Sequence, residues 1–374
     1  MIQSKRILSI MLVIPSIHGG GAERVAVDLA NYWAYKGYDV SILTQSDPKT
    51  DLYVADDRVM RLSTHQHGEV GLFAQFKKIQ AIRRKIRQYR PDIVIGFMTS
   101  SSVYSVLANM GLRSKVIATE HAYPPSQKLS NFWLKLRKFA YPKADKVIAL
   151  TQMSADWLKQ NVPGSDVTII QNAVQWPLKI SKPVVPIDKP SGSKMLLAVG
   201  RLHYEKGFDL LLNAFSQIAT DCPDWRLVIL GEGAERHKLE VQIDSLNLKE
   251  KVIVPGRVGN LAQWYEQADL FVLSSRNEGL SNSLQEAMAS GLCVVSFDCD
   301  TGPREIIRDR VDGVLVRPAE DVNALAEQLR DLMQHPEKRA DLAAKAPEVL
   351  ERFSMQTISV QWDNLFHELI DEKR

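Results

Sequence analysis

The chain has 374 residues, 45% of them hydrophobic and 24% charged, with a formal net charge of +3. A single core rarely serves a chain of this length, so two domains are expected, and no apolar run approaches the ~20 residues of a membrane span. The small net charge conceals an uneven distribution: residues 1–173 hold 23 Lys+Arg against 13 Asp+Glu, net +10, and the remainder 24 against 31, net −7.

In chain order, residues 10–15 (IMLVIP) read as a first strand rather than a signal peptide, because the run is short and ends in a proline and a glycine loop. Gly19, Gly20 and Gly21 let backbone amides approach a phosphate without obstruction by Cβ, and residues 22–35 read as a helix. Between Gly71 and Pro91 lie seven cations (Lys77, Lys78, Arg83, Arg84, Lys85, Arg87, Arg90) and no acid, with Phe73, Phe76, Ile79, Ile82 and Ile86 at helical spacing. This predicts a basic amphipathic helix over 72–90. It is either packed on a sheet with a solvated cationic face, or a contact for anionic lipid headgroups or a pyrophosphate-bearing lipid. A second group, Lys135, Arg137, Lys138, Lys143 and Lys146, sits among Phe132, Trp133, Leu134, Leu136 and Phe139. No RNA- or DNA-binding motif accompanies the charge, so nucleic acid is not an expected partner. The strand KVIATE (115–120) delivers His121 to its C-terminal end, where open α/β sheets bind ligands.

Residues 175–193 (QWPLKISKPVVPIDKPSGS) contain Pro177, Pro183, Pro186 and Pro190, which block regular structure; a linker is expected over 179–193. After it the pattern of strand, glycine loop and helix begins again. MLLAV precedes Gly200-Arg201, and the planar fork of Arg201 with the compact cation of Lys206 suits two linked phosphates. Gly231 follows the strand RLVIL; the loop has too few glycines for a dinucleotide fingerprint. Arg257 and Val258 follow KVIVP. The buried strand ADLFVLSS (268–275) then feeds SSRNEGLSNSLQEAMASG (274–291), which places Glu278 in a loop and Glu286 inside a helix that Ser281 or Asn282 can cap. A strand end feeding a helix N-terminus suits a phosphate, and acidic side chains beside it suit hydroxyls. Asp298-Cys299-Asp300 reads as a strand-end loop rather than a metal site. Cys222, Cys293 and Cys299 have no metal spacing and an odd count; reduced thiols are the simpler reading, a Cys293–Cys299 disulfide the other. Ile358, Trp362, Leu365, Phe366 and Leu369 form a helical stripe.

Three of these segments, in order, resemble retaining glycosyltransferases of family 4: the Gly19–Gly21 loop, the stretch GRLHYEKGFDLL from Gly200, and Glu278 with Glu286 as an E-x7-E motif. The resemblance spans almost the whole chain and implies an α/β GT-B fold, two Rossmann-like domains facing across a cleft. Residues 1–178 would bind the acceptor, 194–354 the nucleotide sugar, and a C-terminal helix (355–374) would cross back to the first domain. It implies that Arg201 and Lys206 hold the donor diphosphate, Glu278 the sugar hydroxyls, Glu286 the ribose, and that Gly279, Leu280, Ser281 and Asn282 supply donors near the phosphate. Gly231, Arg257 and Val258 would cover the base, Gly19 to Gly21 would close from the first domain, and His121 would donate to a sugar hydroxyl. Asn172 stands in the family's N-G-V turn, with Ala173 replacing the usual glycine.

The activity implied by the resemblance is transfer with retention, from a UDP-sugar, first an N-acetylhexosamine and then a hexose, without cofactor or metal. The acceptor would be a polyprenyl-diphosphate-linked or other glycolipid, at the cytoplasmic face of a bacterial membrane, contacted peripherally through the basic helix. A GDP-mannose-dependent mannosyltransferase and a non-transferase nucleotide-sugar-binding protein are the alternatives. A phosphorylase is disfavoured by length and the absence of a pyridoxal-phosphate site, and an epimerase by the combination of Arg201, Lys206, Glu278 and Glu286.

Overall fold

The computed structural model describes residues 7–65 and 71–371. They divide into two compact units, one made of the chain up to Ala173 together with the segment from Met355 onward, the other of Val174–Ser354.

The first unit runs β1 (Ser9–Ile14), α1 (Gly21–Tyr35), β2 (Asp39–Thr44), β3 (Met60–Ser63), α2 (Leu72–Tyr89), β4 (Ile93–Gly96), α3 (Met98–Asn109), β5 (Lys115–Glu120), α4 (Asn131–Ala140), β6 (Lys146–Ala149), α5 (Gln152–Asn161) and β7 (Val167–Ile169). Its sheet has the order β3-β2-β1-β4-β5-β6-β7, with every pairing parallel. A parallel sheet is buried on both faces, which is why its strands read as continuous apolar runs. Within β1 the alternation is still visible: Ile10, Leu12 and Ile14 enter the core shared with α1, and Met11 and Val13 the core on the other face, with Ile82, Ile86, Val103 and Leu158.

The second unit runs β8 (Lys194–Val199), α6 (Phe208–Ser216), β9 (Trp225–Leu230), α7 (Arg236–Ser245), β10 (Val252–Gly256), α8 (Leu261–Gln267), β11 (Leu270–Leu273), α9 (Asn282–Ala289), β12 (Val294–Phe297), α10 (Pro303–Ile306), β13 (Val314–Val316), α11 (Val322–Gln334), α12 (Pro336–Lys345) and α13 (Val349–Phe353). Its parallel sheet has the order β10-β9-β8-β11-β12-β13. In both sheets the strand order reverses beside the first strand, between β1 and β4 and between β8 and β11. The carboxyl ends of such strand pairs are where doubly wound sheets bind ligands.

The last helix, α14 (Met355–Asp371), belongs to the first unit. Its predicted stripe is buried there, with Trp33 edge-on to Trp362 at 5.6 Å and to Phe366 at 5.2 Å, and Tyr38 Oη donating to Asp363 at 2.8 Å. The change of unit falls after Ala173 rather than at 178, where Val174 N donates to the Phe353 carbonyl at 2.8 Å. The proline-rich segment is irregular, as its prolines dictate, but is not a loose tether. Ser181 N donates to the Gly259 carbonyl, Asn260 brackets Val185 through its N–H and C=O, and Lys189 pairs with Asp269 at 2.7 Å. All three cysteines are free and buried, which overturns the disulfide reading; burial pushes the Cys293 and Cys299 thiols up to about 12.

Candidate active site

At the switch point of the second unit, β8 ends into Gly200-Arg201 and β11 into the loop that carries Glu278. These two strands are neighbours, with Leu270 opposite Leu196, so residues 72 apart in sequence meet: Lys206 Nζ lies 2.6 Å from Glu278 Oε1, which also accepts from Ser275 Oγ at 2.6 Å. Glu278 is buried and the ammonium is the charge that compensates it. Thr301 Oγ1 donates to the Glu278 carbonyl, fixing the loop from the far side. Arg201 is exposed and its guanidinium makes no hydrogen bond or ion pair among the described residues.

The helix expected from the LQEAMA run is α9. Ser281 occupies its N-cap position but makes no capping hydrogen bond; its hydroxyl is 3.2 Å from that of Ser283. The N-cap side chain of Ser281 therefore leaves the first turn of α9 uncapped, with Gly279 and the buried Leu280 leading into it. Glu286 is buried inside the helix, where Tyr265 Oη donates to its Oε2 at 3.0 Å.

The loops after β8, β9 and β10 lie against one another, as Gly231 demonstrates. With φ at +143°, its N–H donates to the Gly256 carbonyl at 2.9 Å, and a Cβ there would lie 1.9 Å from the Gly200 carbonyl oxygen. Only glycine permits that approach. Arg257 and Val258, next after Gly256, are thereby brought beside the Gly200 loop, both half-buried. Asp298 is ion-paired with Arg304 at 2.8 Å and with Arg317 at 2.6 Å.

In the first unit, the glycine loop departs from expectation. The amides of Gly19 and Gly20 donate to Glu23 Oε2 at 2.7 and 2.8 Å, while Ser16 Oγ donates to Oε1 at 2.6 Å. A carboxylate of the chain itself thus occupies the amides that were expected to receive a phosphate. The signal was present, since an acid three residues after an N-cap is the spacing of a capping box.

His121 and Asn172 line one cavity, with Phe97, Thr119, Gln171 and, from α1 and α14, Val25, Leu29 and Trp362. The ring stacks on Phe97 at 4.9 Å, and Nε2 lies 2.9 Å from Thr119 Oγ1. Because the Thr119 hydroxyl gives its own proton to the Gly96 carbonyl at 2.9 Å, it accepts from His121, and the proton of the neutral ring is on Nε2. Nδ1 is then an acceptor, buried and without a hydrogen-bond partner among the described residues. Burial lowers the imidazole to about 4, so the ring is neutral at physiological pH. The expected role was donation to a hydroxyl; the free nitrogen is one that accepts. Neither Asn172 nor Ala173 adopts a left-handed conformation, so the turn dispenses with the family's glycine.

Sequence reasoning also missed Glu120. It is fully buried and accepts from Tyr141 Oη, from Gln127 Nε2 at 2.9 Å and from Thr99 Oγ1 at 2.8 Å, with Arg137 at 3.6 Å. Burial, with Glu120 beside it, pushes the Tyr141 phenol far above its ordinary range. Arg137 is 1% exposed and lies over the Trp157 ring, and Lys146 pairs with Asp166 and Glu368, which removes both from the second cationic group. In α2, Lys78 is buried and Arg83 donates to the Ala108 and Met110 carbonyls, so these two do not belong to a solvated face; Lys77, Arg84 and Arg87 do. Phe73 and Phe76 are 71% and 57% exposed on the same helix. No helix of the described residues is long and apolar enough to cross a membrane.

Two family models match the chain, "Glycosyl transferases group 1" over residues 184–349 and "Glycosyltransferase Family 4" over 19–175. Among curated proteins, the chain is 27% identical to the GalNAc-alpha-(1->4)-GalNAc-alpha-(1->3)-diNAcBac-PP-undecaprenol alpha-1,4-N-acetyl-D-galactosaminyltransferase of Campylobacter jejuni, over 97% of this chain and 99% of that one. Among solved structures, sucrose-phosphate synthase of Thermosynechococcus elongatus superposes with a TM-score of 0.85 at 20% identity, covering 98% of this chain and all of the other. Anabaena HepE in complex with UDP and glucose superposes with a TM-score of 0.81 at 20% identity, covering 96% of this chain and all of the other. With two parallel α/β units, each with its switch point, and both motif loops at the carboxyl ends of β8 and β11, the chain belongs to glycosyltransferase family 4 and has the GT-B fold.

Proposed function

We propose that the chain is a retaining glycosyltransferase that moves an N-acetylhexosamine, or failing that a hexose, from a UDP-sugar to a lipid-linked saccharide in the synthesis of a bacterial surface glycan. The observation that carries the reading is the Lys206–Glu278 pair at the β8/β11 switch point, on the same loops as the unpaired Arg201 and the start of α9, which Ser281 does not cap. Lys206 and Arg201 take the two negative phosphates, and α9 presents its amides to them. Glu278, once its ammonium partner turns to the diphosphate, accepts hydrogen bonds from sugar hydroxyls. Glu286, held by Tyr265, accepts from the ribose. In the first unit, His121 Nδ1 is the acceptor offered to a saccharide hydroxyl.

In the reaction, the bond from the anomeric carbon to the diphosphate oxygen breaks, and the acceptor oxygen bonds to the same face of that carbon. The electron pair leaves with the diphosphate, whose oxygen takes the acceptor's proton; no metal enters this scheme. Stabilising the leaving group is the main catalytic effect. The Campylobacter relative, named for an undecaprenyl-diphosphate glycan, supports the lipid-linked acceptor, and the HepE complex supports UDP. The exposed Phe73, Phe76, Lys77, Arg84 and Arg87 of α2 suit peripheral contact with the cytoplasmic leaflet.

The test is to incubate the protein with a polyprenyl-diphosphate-linked saccharide and, in turn, UDP-N-acetylglucosamine, UDP-N-acetylgalactosamine, UDP-glucose and GDP-mannose, measuring nucleoside diphosphate release and the anomeric configuration of the product. UDP release with an α-linked product is expected. Release of GDP instead moves the assignment to mannosyl transfer, and release from none of the donors refutes it.

A further inference from the structure

The Lys206 loop and the Glu278 loop are fastened to each other by a residue that has no assigned part, Arg276. Its guanidinium makes a two-pronged contact with Asp209 at the start of α6, NH1 to Oδ1 at 2.8 Å and NH2 to Oδ2 at 2.7 Å, and NH1 also donates to the Tyr204 carbonyl at 2.8 Å. Nε reaches Glu320 at 3.0 Å, and the guanidinium lies over the Tyr204 ring, 4.0 Å from its centroid. The side chain is 8% exposed. Its backbone takes part too: Arg276 N donates to the Glu205 carbonyl at 2.8 Å, and Ser274 Oγ to the Lys206 carbonyl at 2.9 Å. Gly207 completes the junction, since at φ +60° a Cβ would lie 2.0 Å from the Ser274 carbonyl oxygen.

Every residue from Tyr204 to Lys206 is therefore held from the 274–276 segment, two positions before Glu278. An isolated three-residue turn would not keep an ammonium in one place, because a lysine stem has several free rotations. We infer that Arg276, anchored by Asp209, is a positioning residue that sets Lys206 against the diphosphate and against Glu278. A planar fork suits the task, since it fixes distance and orientation together, which a lysine in its place would not.

This rests on the donor reading of Lys206 and Glu278, and the experiment separates the two. Calorimetry is run with UDP and with UMP, which lacks the second phosphate, on the wild type, Arg276→Ala, Asp209→Asn, Lys206→Ala and the double variant Lys206→Ala/Arg276→Ala; GDP and GMP replace them if the donor panel selects guanosine. Arg276→Ala is expected to weaken UDP about tenfold and UMP less than about twofold, and to add less than about twofold to the loss already present in Lys206→Ala. Should Arg276→Ala fail to fold, Asp209→Asn, close to isosteric, decides by the same ratio. Equal losses for UDP and UMP, an undiminished loss in the Lys206→Ala background, or wild-type UDP affinity would each overturn the clamp. If Lys206→Ala itself left UDP binding unchanged, the donor reading would fall, and the clamp with it.

Discussion

The two units each place a glycine-containing loop after a strand and before a helix, and they use it differently. Before α1, Glu23 reaches back to the amides of Gly19 and Gly20, so the helix start is closed by its own chain. Before α9, Ser281 makes no cap, and the nearby carboxylate, Glu278, is turned to Lys206 instead. The same topology thus gives a glycine loop closed by a carboxylate of its own chain in one unit and, in the other, a helix whose N-cap residue makes no cap. What separates them is where a single acid falls: three residues after the N-cap, where it takes the amides of the loop, or ahead of the helix, where it pairs with a lysine.

The largest effects are expected on the α9 side. Arg201→Ala and Lys206→Ala should each lower transfer about tenfold to a hundredfold, since a charge-assisted bond contributes roughly 1.5–3 kcal/mol. For the exposed Arg201 the melting temperature should not move; an unchanged rate in steady-state kinetics would remove that residue from the site. Glu286→Ala should lose activity comparably but also some stability, because the buried Tyr265 hydroxyl loses its charged acceptor at 3.0 Å and keeps only the Ser283 carbonyl at 3.2 Å.

His121 marks a pH-dependent difference between the units. Unfolded, it takes up a proton near 6.5; folded, not until about 4. Its neutral form contributes stability that is fully present above pH 6.5 and is lost as pH falls towards 4, on the order of 2–3 kcal/mol. Urea unfolding of His121→Gln against wild type across that range should show a smaller fall in the variant; parallel curves would mean the ring is protonated in the fold. Turnover should fall in His121→Ala more than UDP affinity does, and the reverse would detach His121 from the sugar.

Glu23→Ala tests the closed junction directly. Losing the cap should destabilise the protein by about 1 kcal/mol while UDP affinity stays within a factor of about two. Tighter UDP binding in that variant would instead show that Glu23 competes with a phosphate for the Gly19 and Gly20 amides, and the contrast between the junctions would collapse.

These contrasts also mark how far the fold and the site were legible in the residues alone. The strands follow from continuous apolar runs and the glycine loops from residue identity, while the stripe of α14 and the helical character of α2 follow from periodicity, which reports burial of apolar groups. Lys206 and Glu278 were recognisable by their motifs, but their mutual pairing was not, because it depends on β8 and β11 being neighbours. Arg137, Lys135 and Lys138 look alike in sequence, yet Arg137 is buried under Glu120. Charge sign carries no information on burial when the compensating partner is distant in the chain; Arg276 and Asp209, 67 residues apart, are a second instance.

The smallest expected effects lie on α2, where that ambiguity has an experimental resolution. Lys77, Arg84 and Arg87 are exposed, whereas Lys78 is buried and the Arg83 guanidinium donates to two carbonyls at the end of α3, at 2.7 Å each. If the exposed cations meet anionic lipid, Lys77→Gln, Arg84→Gln and Arg87→Gln should each weaken partition onto phosphatidylglycerol vesicles about fivefold, the equivalent of ~1 kcal/mol per cation. Arg83→Gln should leave partition nearly unchanged and lower the melting temperature instead, since two carbonyls lose their donor. Raised salt should reproduce the first three substitutions, because screening acts on charges in solvent. Partition that is insensitive to all four substitutions and to salt would make α2 a helix packed on its sheet with a solvated face, and would leave the acceptor's lipid to be held elsewhere.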